Sequence, residues 1–343
     1  MRQVLIICGP TATGKTSLAL KLAHKFSGEI ISADSRQVYK GMNVGTGKDI
    51  PRNIKYQISN IKYSYASPAS SGGIGRSFSP AQNKNKKIPF YGNGTKIWGY
   101  DLAKPNQEFS VSHFVRIASA VINDIQRRNK LSIIVGGTGL YINSLLKSPQ
   151  TIFIPQNKTL RQTLGSKSVT ELQQELKKVN RKHFNQLNSS DKNNPRRLVR
   201  SIEVALYLRH HPPPKVTSPT YNPLWIGLVA PQKTLDALIE ERVRKRAGKN
   251  MDQEVRTLIR QYSNWQQLPA FSATGYQFWR AYLEGKLSQK AALKLWVTSE
   301  KQYARRQLTW FRKTQKIHWS DVSEVGYPNK VVAEIKNWYP KLH

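Results

Sequence analysis

A glycine-rich loop near the start of the chain most constrains the fold. It follows an apolar run at residues 4–7, which predicts a buried strand. The loop is followed by residues 17–26, where apolar side chains recur at helical spacing. The loop itself reads Gly9-Pro10-Thr11-Ala12-Thr13-Gly14-Lys15-Thr16.

A strand, the pattern GxxxxGKT and a helix, in this order, predict a phosphate-binding P-loop. The glycines allow a tight turn, and the backbone N–H groups and the helix N-terminus then point at an anion. Lys15 adds a positive charge, and the Thr16 hydroxyl can hold Mg²⁺ between two phosphate oxygens. The loop predicts a diphosphate or triphosphate ligand but does not name the reaction.

Two more apolar runs end in turns that favour a ligand site. Asp34 follows residues 29–33, and Gly136-Gly137-Thr138-Gly139 follows residues 131–135. Alternating strands and helices predict an α/β fold, with a parallel sheet flanked by helices. Ligands bind at the carboxyl ends of such strands, so we expect Asp34 to face the P-loop. Its carboxylate can bind Mg²⁺, accept a proton or cap a helix, and position alone does not choose.

The pattern changes along the chain predict three regions. Residues 1–150 form the α/β core, with a basic loop excursion at about 51–97 that either contacts RNA or is an ordinary solvated loop. Residues 151–220 lack strand patterns and form an inserted helical domain. Residues 221–343 return to the core and end in helices. Within the core, we expect Gly28 to end the first helix.

The composition favours a polyanionic partner. Lys and Arg number 55 against 20 Asp and Glu, a formal charge of +35, which favours nucleic acid over membrane; a generally basic surface is the alternative. The apolar runs are too short to span a membrane, and Cys8 cannot form a disulfide within the chain. The histidines are scattered, which argues against zinc. We expect a cytoplasmic protein, monomeric by default.

Arginines cluster on three predicted helices. Arg196, Arg197 and Arg200 follow Pro195, where they contact a phosphate backbone or form a solvated face with Glu203 as partner. On a helix that follows a strand at 224–229, Arg242 and residues 244–246 are expected to face outward. The last long helix combines cations, amides and an indole, which suits RNA.

The chain resembles the tRNA dimethylallyltransferases, also called tRNA isopentenyltransferases. The resemblance covers most of residues 1–50 and 98–320. It is carried by residues 9–16, 30–39, 136–141, 194–200, 275–276 and 305–312.

This resemblance implies transfer of a dimethylallyl group from dimethylallyl diphosphate to N6 of the adenosine at position 37 of tRNA, beside the anticodon. It implies that Asp34 is the general base and that Lys15 and Thr16 also take part in catalysis. It further implies that the P-loop residues and Arg242 bind the diphosphate, and that Mg²⁺ binds at Thr16. The tRNA contacts implied are Asp34, Ser35, Arg36, Gln37, Thr138, Arg196, Arg197, Arg200, Gly275, Tyr276, Arg305, Arg306, Gln307, Thr309 and Arg312.

Two other classes of protein fit part of the pattern. A P-loop kinase would bind ATP on the same loop and use Asp34 to activate a hydroxyl, but it leaves the charge unexplained. A non-enzymatic RNA-binding protein would not need Lys15, Thr16 and Asp34 together. Stabilisation by ATP or by dimethylallyl diphosphate separates the two enzymes.

Overall fold

The computed structural model describes residues 2–48, 50, 55–64, 85–214, 220–314 and 316–339. The strands are β1 (Arg2–Cys8), β2 (Gly28–Ser32), β3 (Lys55–Ser64), β4 (Asn85–Asn93), β5 (Thr95–Trp98), β6 (Leu131–Val135), β7 (Tyr221–Val229) and β8 (Ile317–Asp321). The helices are α1 (Lys15–Lys25), α2 (Val111–Arg127), α3 (Gly139–Lys147), α4 (Lys158–Gly165), α5 (Val169–Gln186), α6 (Ser189–Lys192), α7 (Pro195–His210), α8 (Gln232–Ala247), α9 (Met251–Gln261), α10 (Tyr276–Leu283), α11 (Gln289–Phe311) and α12 (Tyr327–Trp338).

The strands form one sheet in the order β3-β4-β5-β2-β6-β1-β7-β8. The strands β5, β2, β6, β1, β7 and β8 are neighbours in this order and pair in parallel, whereas β3 and β4 extend the β5 edge as antiparallel strands. In the centre, Ile7 pairs with Val135 on one side and Ile226 on the other. The predicted α/β class is confirmed. Parallel pairing brings the ends of β1, β2 and β6 to the same edge of the sheet.

Helices cover the sheet and bury its apolar side chains. One buried cluster joins Leu22 and Phe26 of α1 and Val331 and Ile335 of α12 to strand residues. Another is built largely from α8 to α11. Residues 148–214 belong to a second compact unit, whose described part is helical and has its own core around Leu172, Leu176 and Leu198.

The segment predicted as a loop excursion at 51–97 is partly sheet, and that prediction is wrong for β3, β4 and β5. Ile88 and Phe90 are buried, and the backbone of β4 is hydrogen-bonded on both sides. The sequence pattern did not predict these strands because most of their residues are polar. Residues 51–54 and 65–84, including much of the segment predicted to contact RNA, lie outside the described residues.

Two smaller differences concern helix ends and the last strand. Ser27, not Gly28, follows α1 in the left-handed conformation (φ 48°), and Gly28 begins β2. A side chain at Gly28 would lie 2.9 Å from the Leu131 carbonyl oxygen, so close strand packing explains the glycine. The sequence patterns also did not predict β8, which pairs with β7. Among the described residues, no helix is long and apolar enough to cross a membrane.

A buried carboxylate anchors the start of β2. The side chain of Glu29 is 1% exposed, accepts a bond from Trp98 Nε1 at 2.9 Å and pairs with both terminal nitrogens of Arg128. Burial raises the pKa of Glu29, but the hydrogen bonds from Arg128 and Trp98 outweigh burial and hold the pKa below its ordinary value. The ionised form therefore stabilises the fold above that pKa.

We expect Arg128→Met to lower the free energy of unfolding by about 2–3 kcal/mol at about pH 7, because it leaves a buried carboxylate without its main partner. Glu29 stabilises the wild type only while ionised, so this difference should shrink as the pH falls through the depressed pKa. Urea unfolding across this pH range measures it. Lys245→Met, which breaks an exposed pair with Glu241, should change stability by less than about 0.5 kcal/mol. A cost for Arg128→Met that stays constant with pH would contradict the assignment.

Candidate active site

The P-loop has a fixed backbone path between β1 and α1. Gly9 has φ 129°, and a Cβ there would lie 2.2 Å from the Leu228 carbonyl oxygen. Gly14 has φ 75° and precedes the first turn of α1, so the helix N-terminus opens directly into the loop. Thr13 Oγ1 and Lys15 Nζ both donate to the Pro10 carbonyl oxygen, at 3.0 and 2.5 Å. Hydrogen bonds from these two side chains to its own backbone therefore stabilise the conformation of the loop.

Arg242 of α8 brings a second positive charge to this loop. Its guanidinium donates to Thr11 Oγ1 at 2.6 Å and to the Gly47 carbonyl oxygen at 3.1 Å. The predicted diphosphate-binding residues of the P-loop and Arg242 therefore lie together, although they are far apart in the sequence. A guanidinium beside a P-loop can form a bidentate pair of hydrogen bonds with a phosphate group.

Asp34 lies directly after β2, at the same edge of the sheet. Its Oδ1 accepts from the backbone N–H groups of Arg36 at 2.7 Å and Gln37 at 3.3 Å, so the carboxylate shapes its own turn. Across the edge, Thr138 Oγ1 accepts from the Ser35 N–H at 3.2 Å. The structure therefore brings Asp34, Ser35 and Thr138 together. Asp34 does not cap a helix, because a turn follows it at residues 35–38. Its bonds within this turn use Oδ1 alone, which is compatible with a chemical role for Oδ2.

The side chains of Arg36 and Gln37 contact protein groups. Arg36 donates to the Pro269 carbonyl oxygen at 2.7 Å. Gln37 accepts from Ser32 Oγ and donates to the Gly47 carbonyl oxygen. Both residues thus connect the Asp34 turn to neighbouring segments.

The loop at 41–48 supports both Gln37 and Arg242. The carboxylate of Glu254 accepts from the N–H groups of Asn43, Val44 and Gly45 at 2.7–2.9 Å, and from the hydroxyl of Tyr276 at 2.7 Å. Three successive N–H groups facing one carboxylate form a backbone anion nest. The nest is filled by the chain's own side chain.

Arg246 of α8 also stabilises the loop at 41–48. The prediction that it faces outward is wrong: it is buried, and it donates to the carbonyl oxygens of Val44 and Gly45 and to Glu300. Glu300 also accepts from Thr274 Oγ1 at 2.7 Å. Burial raises the pKa of Glu300, but the positive charge of Arg246 and its other donors lower it overall. Helical spacing alone cannot reveal such a buried ion pair.

Gly275 and Tyr276 lie inside this network. Gly275 has φ 102°, and a Cβ there would lie 2.4 Å from the Trp296 ring. Tyr276 is 1% exposed, and its hydroxyl contacts Glu254. In the described structure both residues therefore pack against protein.

The helix α11 presents two different faces. Arg305, Arg306, Thr309 and Arg312 are exposed, and Trp310 is 38% exposed. Gln307 is buried instead.

Tyr303 is a further residue of α11 near the proposed site. Burial and the nearby negative charges of Asp34 and Glu300 raise the pKa of its hydroxyl, whereas the hydroxyl of Thr138 lowers it. Its position one helical turn before Gln307 is a sequence signal that could have indicated it.

In the second unit, the three predicted arginines have different environments. Arg196 is exposed. Arg197 is exposed and pairs with Asp191. Arg200 donates to Glu203 at 2.5 Å and to the carbonyl oxygens of Thr151 and Ile154. The partnership with Glu203 weighed above is therefore present.

The described residues contain no group of three or more His, Cys, Asp or Glu side chains able to hold a metal ion. Thr16 lies half-exposed in the first turn of α1, directly after the loop in the chain. A site of this kind suits a cation that arrives with a phosphate ligand, because Mg²⁺ keeps several waters and binds substrate phosphates.

The geometry defines a P-loop α/β protein in which the polar turn at Asp34 and the P-loop lie at the same edge of the sheet. Two family models match the chain: "Isopentenyl transferase" over residues 2–65 and "IPP transferase" over residues 84–314. The tRNA dimethylallyltransferase of Anoxybacillus flavithermus is 31% identical over 345 residues, covering 98% of this chain and 96% of that protein. The tRNA dimethylallyltransferase 2 of Treponema denticola is 34% identical over 317 residues, covering 91% and 92%.

A solved structure shows the same relationship in three dimensions. The tRNA isopentenylpyrophosphate transferase of Bacillus halodurans is 28% identical, with a TM-score of 0.64, covering 99% of this chain and 96% of that one. The chain belongs to the tRNA dimethylallyltransferase (IPP transferase) family. The resemblance inferred from the separated sequence motifs is confirmed.

We expect Glu254→Gln to lower the free energy of unfolding by about 2–3 kcal/mol, because an amide N–H₂ group replaces one acceptor facing the nest. It should also weaken binding of inorganic diphosphate, since the nest loop positions the Gly47 carbonyl that holds Arg242. Urea unfolding and calorimetric titration measure the two effects. Glu241→Gln, an exposed change on α8, should stay within about 0.5 kcal/mol. Equal effects of the two variants would contradict this role of Glu254.

Proposed function

We propose that this chain transfers the dimethylallyl group of dimethylallyl diphosphate to N6 of the adenosine at position 37 of tRNA. The family assignment makes it an enzyme of tRNA modification. The observation that carries the more specific proposal is the shared edge of the sheet. There Arg242 and the P-loop after β1 lie together, and Asp34 follows β2, which is separated from β1 only by β6.

Asp34 is proposed to act on the acceptor base. An exocyclic adenine amine is a poor nucleophile, and it becomes a better one if a carboxylate takes its proton as the new N–C bond forms. The backbone bonds to Oδ1 fix the turn and so orient the carboxylate. The amine nitrogen bonds to the dimethylallyl carbon, the carbon–oxygen bond to diphosphate breaks, and the amine proton passes to Asp34.

The P-loop is proposed to bind the diphosphate and to stabilise it as it leaves. Negative charge grows on the bridging oxygen during bond breaking, and loop N–H groups, Lys15 and Arg242 are the donors available there. Mg²⁺, when bound, would neutralise part of this charge, with Thr16 as the protein ligand and diphosphate and water supplying the others. In this proposal the P-loop holds an isoprenoid diphosphate where other P-loop proteins hold a nucleotide.

The exposed face of α11 is proposed to bind the anticodon stem-loop. Arg305, Arg306 and Arg312 are exposed cations, and Trp310 offers a partly exposed ring for stacking. The target base must leave its stack to reach Asp34. The helical unit with exposed Arg196 is proposed as an inserted tRNA-binding domain. The proposed reaction needs residues of one chain only, and we propose that the enzyme acts as a monomer in the cytoplasm.

The transfer reaction can be tested directly. The protein is incubated with Mg²⁺, radiolabelled dimethylallyl diphosphate and unmodified tRNA, and a parallel sample contains tRNA without the target adenosine. Label should enter the first RNA alone. Absence of label from both, with thermal stabilisation by ATP-Mg²⁺ and none by dimethylallyl diphosphate, would favour the kinase alternative.

We expect Asp34→Asn to lower the single-turnover transfer rate by about 10²- to 10⁴-fold, because it removes the proton acceptor. The amide oxygen can still accept from the Arg36 N–H, so the turn and tRNA affinity should persist. Rapid-quench transfer assays and tRNA binding titrations measure the two properties. Asp236→Asn is the matched control, because Asp236 pairs only with groups on helices α8 and α11 in the described contacts. Near-normal transfer by Asp34→Asn would exclude the general-base role.

A further inference from the structure

A single buried carboxamide connects the two halves of the proposed site. The Oε1 atom of Gln307 accepts from the Thr11 N–H of the P-loop at 2.8 Å. Its Nε2 atom donates to the Gly137 carbonyl oxygen at 3.1 Å. Gln307 is 5% exposed, so both bonds lie away from water. The resemblance implied that Gln307 contacts tRNA, but this side chain is occupied by protein groups.

The two contacted segments carry different parts of the chemistry. Thr11 belongs to the loop proposed to hold the donor, and its hydroxyl accepts from Arg242. Gly137 precedes Thr138, whose hydroxyl accepts from the Ser35 N–H beside Asp34. The inner face of α11 therefore contacts both the donor loop and the acceptor turn.

The fit around the carboxamide is tight on the acceptor side. A Cβ at Gly137 would lie 1.8 Å from Gln307 Nε2, and the three heavy atoms nearest to it would all belong to the Gln307 side chain. Gly137 does not have a positive φ. The absence of a side chain at this position is therefore explained by the approach of Gln307, since the backbone conformation does not require glycine.

We propose that Gln307 is a positioning residue that sets the spacing between the diphosphate-binding loop and the Asp34–Thr138 acceptor turn. This inference rests on the proposed transfer reaction. An apolar side chain could fill the same volume, but it could not bond to a loop N–H and a turn carbonyl at once. Transfer between two bound substrates depends on their separation, and an error of about 1 Å can cost about 100-fold in rate.

Two variants disturb this link from opposite sides. Gln307→Met keeps the length of the side chain and removes both hydrogen bonds. Gly137→Ala leaves Gln307 intact but displaces its amide, because the added methyl group occupies the position of Nε2. Gln261→Met is the matched control, since Gln261 is exposed at the end of α9 and lies outside the proposed site.

The informative measurement is the single-turnover transfer rate with both substrates saturating, together with the Kd of inorganic diphosphate, the Kd of tRNA and the Tm. We expect Gln307→Met and Gly137→Ala to lower this rate by about 10- to 100-fold while each Kd changes by less than about 3-fold. Gln261→Met should match the wild type. A structural role would reduce Tm or the fraction of active protein but leave the rate per active site unchanged.

A double-mutant cycle gives an independent check. Gly137→Ala acts through Gln307 in this proposal, so it should lower the rate in the wild type but add little in a Gln307→Ala background. Additive effects would overturn the proposal, as would a normal saturated rate in Gly137→Ala. If Gln307→Met does not fold, Gly137→Ala alone decides the question. A wild type that transfers no label would instead refute the proposed function, and the inference with it.

Discussion

The close approach of β1 and β7 at Gly9 is the constraint on which the rest of the site depends. A Cβ at Gly9 would lie 2.2 Å from the Leu228 carbonyl oxygen. The chain can therefore follow this path out of β1 only if residue 9 has no side chain. The turn then delivers the loop onto the N-terminus of α1, where backbone N–H groups and the helix dipole favour an anion. The parallel order β2-β6-β1 places Asp34 and Thr138 at the same edge.

Buried charges hold the second layer of the site in place. Glu254 satisfies three N–H groups of the loop at 41–48, and Arg246 satisfies two of its carbonyl groups while pairing with Glu300. Breaking one member of such a network is costly, because the remaining charge stays buried. The loop can therefore act as a rigid support, and its Gly47 carbonyl bonds to both Arg242 and Gln37.

Sequence patterns predicted the elements whose own residues determine them. The strand–loop–helix at the P-loop and the helix beginning at Pro195 follow local rules, and they are present. The strands β3 and β4 depend on pairing with distant residues, and their polar composition gave no warning. The burial of Arg246 likewise depends on Glu300, 54 positions later, which no helical period can indicate.

The same distinction applies to α11, where one helix serves two purposes. Its cationic and aromatic residues were sufficient to predict an RNA-binding face, and Arg305, Arg306 and Trp310 are indeed exposed. Composition could not show that Gln307, in the middle of this stretch, is buried and bonded to two separate loops. From the inner face of the helix, Gln307 bonds to both the P-loop and the turn at Gly137. In the proposed reaction, the helix that binds RNA on its outer face would therefore also hold the spacing of these two loops, and this would join recognition of the RNA to the geometry of the transfer.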